Sequence, residues 1–530
     1  MISLDRKGME SLIFLKSWGY GRLRGIKRDL VFYKDIYRNY LSLRKRGIWM
    51  AGIYSDHMVM QRDKVLKIRG HASAGMHIVL FFANHTARTI TGSDGNWCCI
   101  FPAIPAGGPY LFVVKGGRHK LVFKDVYVGE VWLVSGLSLM MMGLTGCNSW
   151  EEEQEWWGSQ KDESRFIVRY CKKRLPKGWP DRSFPRALCK LMGRFEIPFY
   201  DKWKKANPAN LGEIPAYAYY FAKMLASELR VPVGVLCTAL PGCPMEGYIE
   251  RELLMEKAPD ILSGTSNRFT LDTGARGRRD RNLGNTDHKK QNYFLDPGFA
   301  FESQIRSLDA FPVRGAIYGI FWSTKEFLPF FPLLFPLLPD SWYRLWREKF
   351  PIYFLQPGRW NNAPLLPFYR DQLRVSLKGS DMCKMLVGYD THIRTAEGED
   401  YMHPLERKTV GERFARLALY YQYGKKEIVP EGPLYHEAVL RDNFIRIKFE
   451  WSEGLHTSDG QTLREFEVSG EDECFIPVNA WIENDTVIIS CPESLPLPVY
   501  VRHAWKDFTE ANLVNGAGLP ASTFVERLNN

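Results

Sequence analysis

A change of pattern near residue 125 constrains this chain more than any other feature. Between residues 53 and 125, short runs rich in β-branched and aromatic residues alternate with Gly, Pro and Asp turns, a spacing typical of a small β-sandwich. The stretch Asp125–Val134 is instead almost continuously apolar, as in a strand that is buried on both faces of a parallel sheet. The chain therefore passes from an all-β region into a different kind of sheet.

Strand and helix signals alternate beyond this point. Compact apolar runs predict further buried strands, and apolar residues on one helical face predict helices. The strands are expected at 231–236, 313–320 and 350–355, and the helices at 216–229 and 409–423. Such alternation indicates an α/β domain with a mostly parallel sheet, and a β pattern returns from residue 432 onward.

The sequence therefore predicts four parts. They are a basic N-terminal extension at 1–49, an N-terminal β domain at 50–125, an α/β domain at 126–430 and a C-terminal β domain at 431–530. A polar, basic segment at 263–291 interrupts the α/β part, and we interpret it as an exposed loop.

The positive charge is concentrated at the beginning of the chain. Residues 1–47 hold twelve Lys and Arg against four Asp and Glu, so they account for +8 of the net charge of +11. A basic arm can follow phosphates or an anionic membrane, and the alternative is a poorly packed extension outside the working domain. We favour the extension, and no nucleic-acid partner is expected.

Several other classes of protein lack support in this sequence. The ten cysteines form no CxxC pair and no Cys/His cluster at zinc spacing. No apolar run reaches the ~18 residues of a membrane helix, and residues 1–47 lack the apolar run of ~7–15 residues that a signal peptide needs. No metal and no transmembrane segment are therefore expected, and the compartment stays open.

A serine follows the first strand of the α/β part. Active sites of open parallel sheets lie beyond the carboxyl ends of the strands, and Ser138 comes two residues after Gly136, on a turn before a predicted helix. At such a turn the hydroxyl is exposed, and backbone N–H groups can face a developing oxyanion. The alternative is that Ser138 only caps the helix.

A serine nucleophile needs a base, and the base needs an orienting group. Only three of the eleven histidines, His288, His392 and His403, lie in the predicted α/β part. His403 precedes the helix predicted at 409–423, and Asp400 stands three residues before it. This spacing lets the carboxylate reach Nδ1 while Nε2 faces outward, which is the acid/base half of a hydrolytic triad.

Several blocks of sequence, in the same order, resemble those of sialate O-acetylesterases. They are Tyr54–Lys64, Ala106–Tyr110, Asp125–Ser138, His403–Pro404 with Val410–Arg413, Gly432–Tyr435, Glu510–Leu513 and Ala517–Ser522. The resemblance runs from about Ile53 to Arg527. It implies an SGNH-type α/β domain with three layers and a mostly parallel sheet, flanked by N- and C-terminal β-sandwich-like domains.

The resemblance also implies a reaction, the hydrolysis of O-acetyl esters of sialic acid or another acetylated glycan, with no cofactor. Ser138 falls on the nucleophile, His403 on the general base and Asp400 on its orienting acid. Proteins of this family are secreted, periplasmic or lysosomal as a rule, whereas no signal peptide is recognisable in this chain.

Three blocks depart from the family pattern. Leu137 and Leu139 flank the serine where the family has Gln and Asn, and Pro241-Gly242-Cys243 replaces Gly-Gly-Thr. The segment Tyr318–Trp322 lacks the amide and the carboxylate of the family's Trp-Tyr-Gln-Gly-Glu. Proline has no N–H, so an oxyanion would depend on the backbone N–H groups of Leu139 and Gly242.

Two hypotheses of different classes follow. The first is an acetylesterase with an altered, more apolar pocket. The second is a catalytically weakened relative that binds glycans without turnover. The retained Ser138, Asp400 and His403 favour the esterase, and the three altered blocks favour the weakened relative.

Overall fold

The computed structural model describes residues 47–159, 167–172, 184–185, 201–263, 291–292, 296–320, 327–360, 363–392 and 403–529. Nearly all of the predicted basic extension and of the predicted basic loop lies outside these ranges, so both stay predictions.

Eight strands open the described chain. They are β1 (Ile48–Met50), β2 (Val59–Gln61), β3 (Leu66–Ala72), β4 (His77–Phe82), β5 (His85–Ile90), β6 (Asn96–Phe101), β7 (Gly107–Gly116) and β8 (His119–Gly136). The strands β1, β3 and β6 form one antiparallel sheet, and β5, β4, β7 and the first part of β8 pair antiparallel to one another in that order. Burial alternates along β4 and β6, as the sequence pattern predicts for half-buried strands.

The strand β8 belongs to two regions at once. As far as Asp125 no residue of β8 is fully buried, whereas every residue from Val126 to Gly136 is buried. The backbone of Asp125 has a φ of 55° at this transition, and its carboxylate oxygen lies 2.7 Å from Nδ1 of His57. The domain limit expected between residues 125 and 126 therefore falls inside one continuous strand.

The second part of β8 is the centre of a mostly parallel sheet. The strands that follow it in the chain are β9 (Val168–Lys172), β10 (Phe184–Pro185), β11 (Lys204–Lys205), β12 (Val233–Cys237), β13 (Gln291–Asn292), β14 (Gly315–Gly319), β15 (Ile352–Leu355) and β16 (Cys383–Leu386). The order across the sheet is β11-β9-β12-β8-β14-β15-β16, and only β11 is antiparallel. Since β12 and β14 lie on opposite sides of β8, the carboxyl end of β8 is a point where the strand order reverses, and ligand clefts form at such points.

Both faces of this sheet are covered. The described helices are α1 (Trp150–Ser159), α2 (Ala216–Leu229), α3 (Arg251–Lys257), α4 (Pro259–Ser263), α5 (Phe331–Leu334), α6 (Leu337–Trp346), α7 (Leu366–Leu377) and α8 (Lys408–Leu417). Alternate residues of β8 enter two separate hydrophobic clusters, with Val131 and Leu133 in one and Trp132 and Val134 in the other. This is the two-sided burial that the apolar run at Asp125–Val134 predicts.

The helices predicted at 216–229 and 409–423 are present with small changes. The helix expected at 216–229 is α2, and the one expected at 409–423 is α8, which continues as a π-helical turn at Ala418–Gln422. The two helices pack closely at Gly411, where a Cβ atom would lie 2.9 Å from the carbonyl oxygen of Tyr217. A glycine is required there because the backbones approach so closely.

The remaining strands follow α8. They are β17 (Leu434–Arg441), β18 (Phe444–Glu450), β19 (His456–Thr457), β20 (Phe466–Ser469), β21 (Ile476–Pro477), β22 (Ala480–Glu483), β23 (Thr486–Ser490), β24 (Tyr500–His503), β25 (Leu513–Val514) and β26 (Phe524–Arg527). They form two four-stranded antiparallel sheets and one two-stranded sheet. Ile445 and Val501 of the two larger sheets belong to one hydrophobic cluster.

The described architecture is thus a mixed α/β fold with a large mixed sheet and additional β-sheets, in agreement with the predicted α/β class. The three-layer SGNH layout and the limits of the flanking domains stay predictions. Among the described residues, no helix combines the length and the apolar character that crossing a membrane requires.

Candidate active site

The end of β8 is held against its neighbouring strand and loop. Gly136 has a φ of +101°, and a Cβ atom there would lie 2.1 Å from the carbonyl oxygen of Gly319 in β14. The N–H of Leu137 donates to the same Gly319 oxygen at 3.2 Å, and the buried Tyr248 hydroxyl donates to the carbonyl oxygen of Gly136 at 2.9 Å. The backbone that leads into Ser138 is therefore constrained from two sides.

Ser138 begins a short 3-10 turn, Ser138–Met141, where the sequence predicted a helix. The residue at the N-cap position is Leu137, in an extended conformation, and no side chain caps the turn. The hydroxyl oxygen Oγ of Ser138 instead lies 2.9 Å from Nε2 of His403. The capping alternative for Ser138 is therefore wrong, and the hydroxyl is paired with an imidazole from 265 residues away.

His403 lies shortly before α8 and is partly buried. Burial, and then the positive charge of Arg407, lower the pKa of the His403 imidazole below its ordinary value. The ring is therefore neutral at neutral pH, and a neutral ring can accept a proton from the serine hydroxyl at Nε2. Asp400, the predicted partner of Nδ1, lies outside the described residues.

The two leucines beside Ser138 belong to the hydrophobic core. Leu137 and Leu139 are each 6% exposed, and they share a cluster with Met140 and Leu144 on one face of the sheet. Two apolar neighbours of a serine are tolerated here because the tight turn directs both side chains into the core. They anchor the turn that presents the hydroxyl.

The loop after β12 is fastened to the same strand end. The N–H of Leu240 donates to the carbonyl oxygen of Gly136 at 2.9 Å, and the N–H of Cys243 donates back to the carbonyl oxygen of Leu240 at 3.2 Å. Pro241 and Gly242 occupy the two central positions of this turn, and Gly242 has a φ of +69°, the pattern of a type II turn. No atom of the described residues lies within 4 Å of the position that a Gly242 Cβ would take.

The third altered block lies at the end of β14. Tyr318 is 1% exposed, and its ring centroid lies 5.6 Å from that of Tyr248, so Tyr318 is part of the packing behind the turn. Phe321 and Trp322, which complete this block, lie outside the described residues.

Two residues near the site, Tyr248 and Arg407, belong to none of the motifs identified in the sequence. Tyr248 is separated from Gly136 by 112 positions, and the guanidinium of Arg407 bonds to the carbonyl oxygen of Gly143, 264 positions away. The neighbours in sequence do not mark either residue, since Arg407 stands between Glu406 and Lys408 and Tyr248 between Gly247 and Ile249. Local sequence does not say which backbone oxygen a polar side chain will meet.

A cleft of about 950 Å³ lies elsewhere in the molecule. Its walls come from the N-terminal region, which supplies Trp49, His71 and Trp97, and from residues 302–311, which precede β14, together with Glu252 and Leu345. Neither Ser138 nor His403 lines it. Among the described residues, no group of three or more His, Cys, Asp or Glu side chains could hold a metal ion.

The chain is similar along most of its length to known esterases. It is 22% identical over 537 residues to the sialate O-acetylesterase of Rattus norvegicus, with 91% of this chain and 95% of the relative covered. The sialate O-acetylesterase of Mus musculus is 20% identical over 542 residues, with the same two coverages. No family model matches the chain.

The fold has a solved counterpart. A carbohydrate acetylesterase from Xanthomonas citri superposes with a TM-score of 0.73 at 24% sequence identity, covering 90% of this chain and 99% of that one. The fold and the comparisons together define a hydrolase of the carbohydrate esterase class. Within that class, the relatives that match most of this chain are sialate O-acetylesterases, the family that its sequence blocks resemble.

Proposed function

We propose that this protein hydrolyses O-acetyl esters of sialic acid through a serine nucleophile and an acyl-enzyme. The observation that carries the proposal is the distance of 2.9 Å between Ser138 Oγ and His403 Nε2 at the carboxyl end of the central strand, in a chain of an esterase family. This distance lies within the range for proton transfer between a nucleophile and its general base.

The reaction follows from the roles of these two side chains. Ser138 Oγ attacks the acetyl carbonyl carbon, and His403 Nε2 takes the hydroxyl proton. His403 then gives this proton to the departing sugar oxygen, and a water molecule, deprotonated by the same imidazole, releases acetate from the acyl-serine. Asp400 is the proposed partner that holds the Nδ1 proton.

Backbone N–H groups are the proposed donors to the oxyanion. Leu139 follows Ser138 in the 3-10 turn, and Gly242 lies on the turn that is hydrogen-bonded to Gly136. Removing a single donor from such a hole typically costs ~10²–10³ in rate. Two backbone donors can replace the side-chain donors that the family pattern would supply.

A second candidate is a glycan-binding relative with little turnover. The specific observation in its favour is Pro241, which lacks an N–H at the turn beside Gly136. In this case the protein would bind acetylated glycans, and Ser138 would not contribute to acetate release.

One experiment separates the two. We would measure acetate release from 9-O-acetylated sialic acid, from an acetylated neutral sugar and from an aryl acetate, for the wild type and for Ser138→Ala. Ser149→Ala is the matched control, because its hydroxyl bonds to Tyr220 at 2.8 Å and not to His403.

The esterase predicts that release is lost in Ser138→Ala and retained in Ser149→Ala. Faster release from the sialic acid ester than from the neutral sugar supports the proposed substrate, and the opposite order contradicts it. Equal, background-level release from the wild type and Ser138→Ala contradicts the enzyme. Binding of the intact ester by that inactive wild type would establish the second candidate.

A further inference from the structure

The turn that carries His403 is joined to the loop that follows Ser138. The N–H of Asn148 donates to the carbonyl oxygen of Leu405 at 3.1 Å. The side-chain amide of Asn148 donates to Glu406 at 2.8 Å, and the other carboxylate oxygen of Glu406 accepts the N–H of Thr409 at 2.9 Å, at the start of α8. These hydrogen bonds join the loop that follows Ser138 to the segment between His403 and the start of α8.

The most deeply buried member of this junction is Arg407, which is 2% exposed. Its Nε donates to the carbonyl oxygen of Pro404 at 2.9 Å, and its Nη1 donates to the carbonyl oxygen of Gly143 at 2.8 Å. Pro404 is the neighbour of His403, and Gly143 lies two residues after the turn Ser138–Met141. A single rigid guanidinium therefore spans from the base to the loop of the nucleophile.

The guanidinium is held by neutral oxygens. No carboxylate oxygen lies within 4 Å of Arg407 in the part of the chain that the structure describes, and its third contact is the Sγ of Cys147, at 3.8 Å. The other charged groups of the junction are engaged elsewhere, because Glu406 bonds to Asn148 and Lys408 pairs with Glu152 at 2.7 Å. Among the described residues, therefore, no ion pair cancels the positive charge of Arg407.

We propose that Arg407 is a positioning residue for the reaction, whose two-armed guanidinium sets the distance between Ser138 Oγ and His403 Nε2. This inference rests on the proposed function. A lysine has one ammonium on a flexible stem and cannot reproduce a planar fork. The geometry therefore requires arginine itself at this position.

The charge of Arg407 has a second effect on the same base. A nearby cation disfavours the protonated imidazole, in accord with the lowered pKa of His403. Geometry and charge can be separated by substitution, since Arg407→Lys keeps the charge and loses the fork, whereas Arg407→Met loses both. Arg416→Met is the matched control, because Arg416 of α8 bonds only to the Val429 carbonyl oxygen, at 3.2 Å, among the described residues.

The test measures pH profiles with the aryl acetate. We expect both Arg407 variants to lower kcat by ~10–100-fold with KM within about threefold, because small displacements of a reacting group cost this much. The acid limb of the kcat/KM profile should stay in place in Arg407→Lys and move up by about 0.5–1 pH unit in Arg407→Met. Arg416→Met should match the wild type in every respect.

Two outcomes would overturn the positioning role. Wild-type kcat in Arg407→Lys would show that the fork is not needed, and an equal acid limb in Arg407→Met and the wild type would show that the charge does not reach His403. Titration of the His403 ring by NMR in the wild type and Arg407→Met gives the charge effect without turnover. Failure of the esterase proposal itself would instead appear as acetate release that does not depend on Ser138.

Discussion

Gly136 and Gly319 approach each other so closely across β8 and β14 that a Cβ atom on Gly136 would lie 2.1 Å from the Gly319 carbonyl oxygen. The register pairs the same two residues at the carboxyl ends of their strands. The position of Ser138, two residues later, therefore depends on two glycines that have no chemistry of their own.

We expect Gly136→Ala to lose activity and to lower the free energy of unfolding by about 3 kcal/mol or more. The substitution adds backbone strain of ~1–3 kcal/mol at a φ of +101° to a clash with backbone that cannot move freely. Denaturant unfolding and acetate release would measure the two effects. Gly379→Ala is the control, because its φ is +76° and no atom of the described part of the chain lies within 4 Å of the added Cβ. It should cost only the strain of ~1–2 kcal/mol.

The buried carboxylate of Glu130 should be important for stability. Its side chain is 0% exposed, and it accepts bonds from Arg62 at 2.5 Å, Arg314 at 2.9 Å and Gln61 at 3.0 Å. Burial alone would raise the pKa of this carboxyl, but the arginines and Gln61 outweigh burial and hold the pKa below its ordinary value.

Glu130→Gln should therefore lower the free energy of unfolding at pH 7 by about 2–3 kcal/mol, since both arginines lose their anion but remain partly hydrated. The loss should shrink as the pH falls through the folded-state pKa, because the wild-type carboxyl is then protonated as well. Glu348→Gln is the control, since the Lys64–Glu348 pair has a half-exposed carboxylate and should contribute less than about 1 kcal/mol. Equal losses in the two variants, measured by urea unfolding, would contradict this prediction.

Arg370 connects the C-terminal strands to the α/β region. Its fully buried guanidinium donates to the carbonyl oxygens of Pro357 and Gly358, which follow β15, and to those of Lys506 and Asp507, which follow β24. Burial lowers its pKa to about 9, which still leaves it charged at neutral pH.

We expect Arg370→Lys to cost about 2–4 kcal/mol of unfolding free energy, because one ammonium cannot satisfy four buried carbonyl oxygens. Arg446→Lys in β18 is the matched control, since that guanidinium is half-exposed and its replacement should cost less than about 0.5 kcal/mol. An unchanged free energy of unfolding in Arg370→Lys would show that the contact between the two regions does not depend on the several donors of a guanidinium.

Stability should fall in mild acid because of His503. This ring is 0% exposed and stacks on Phe466 with centroids 4.2 Å apart, and burial lowers its pKa to about 4. Between the unfolded pKa of about 6.5 and this value, only the unfolded chain binds the proton, so stability is full above pH 6.5 and lost as the pH falls toward 4. The loss can reach about 3 kcal/mol.

His503→Leu removes this titration. We expect the stability difference between pH 8 and pH 5 to be smaller in the variant than in the wild type, by urea unfolding at both values. The comparison at pH 8, where both side chains are neutral, isolates the packing effect. An unchanged difference between the two pH values would contradict the prediction.

Much of the fold was predictable because its signals are local. One of the short β-branched and aromatic runs between residues 53 and 125 is His77–Phe82, and it coincides with β4. The apolar stretch that ends at Val134 is buried on both faces as predicted. The helix expected after Ser138 was wrong, and the reason is visible in Gly136 and Tyr248. Contacts from remote segments hold the chain in a tight turn there, and an apolar sequence of four residues does not distinguish such a turn from a helix.

In the candidate site too, some features follow from the local sequence and others from tertiary packing. The sequence alone determined which residue types stand at the ends of strands and before helices, so Ser138 and His403 were identifiable as candidates. Tertiary structure decided that these two side chains meet at 2.9 Å, that Leu139 points into the core and that Arg407 joins the two segments. Propensity and periodicity act over a few neighbouring residues, whereas these contacts join groups more than 250 positions apart. Only the packed chain determines which buried donor reaches which acceptor.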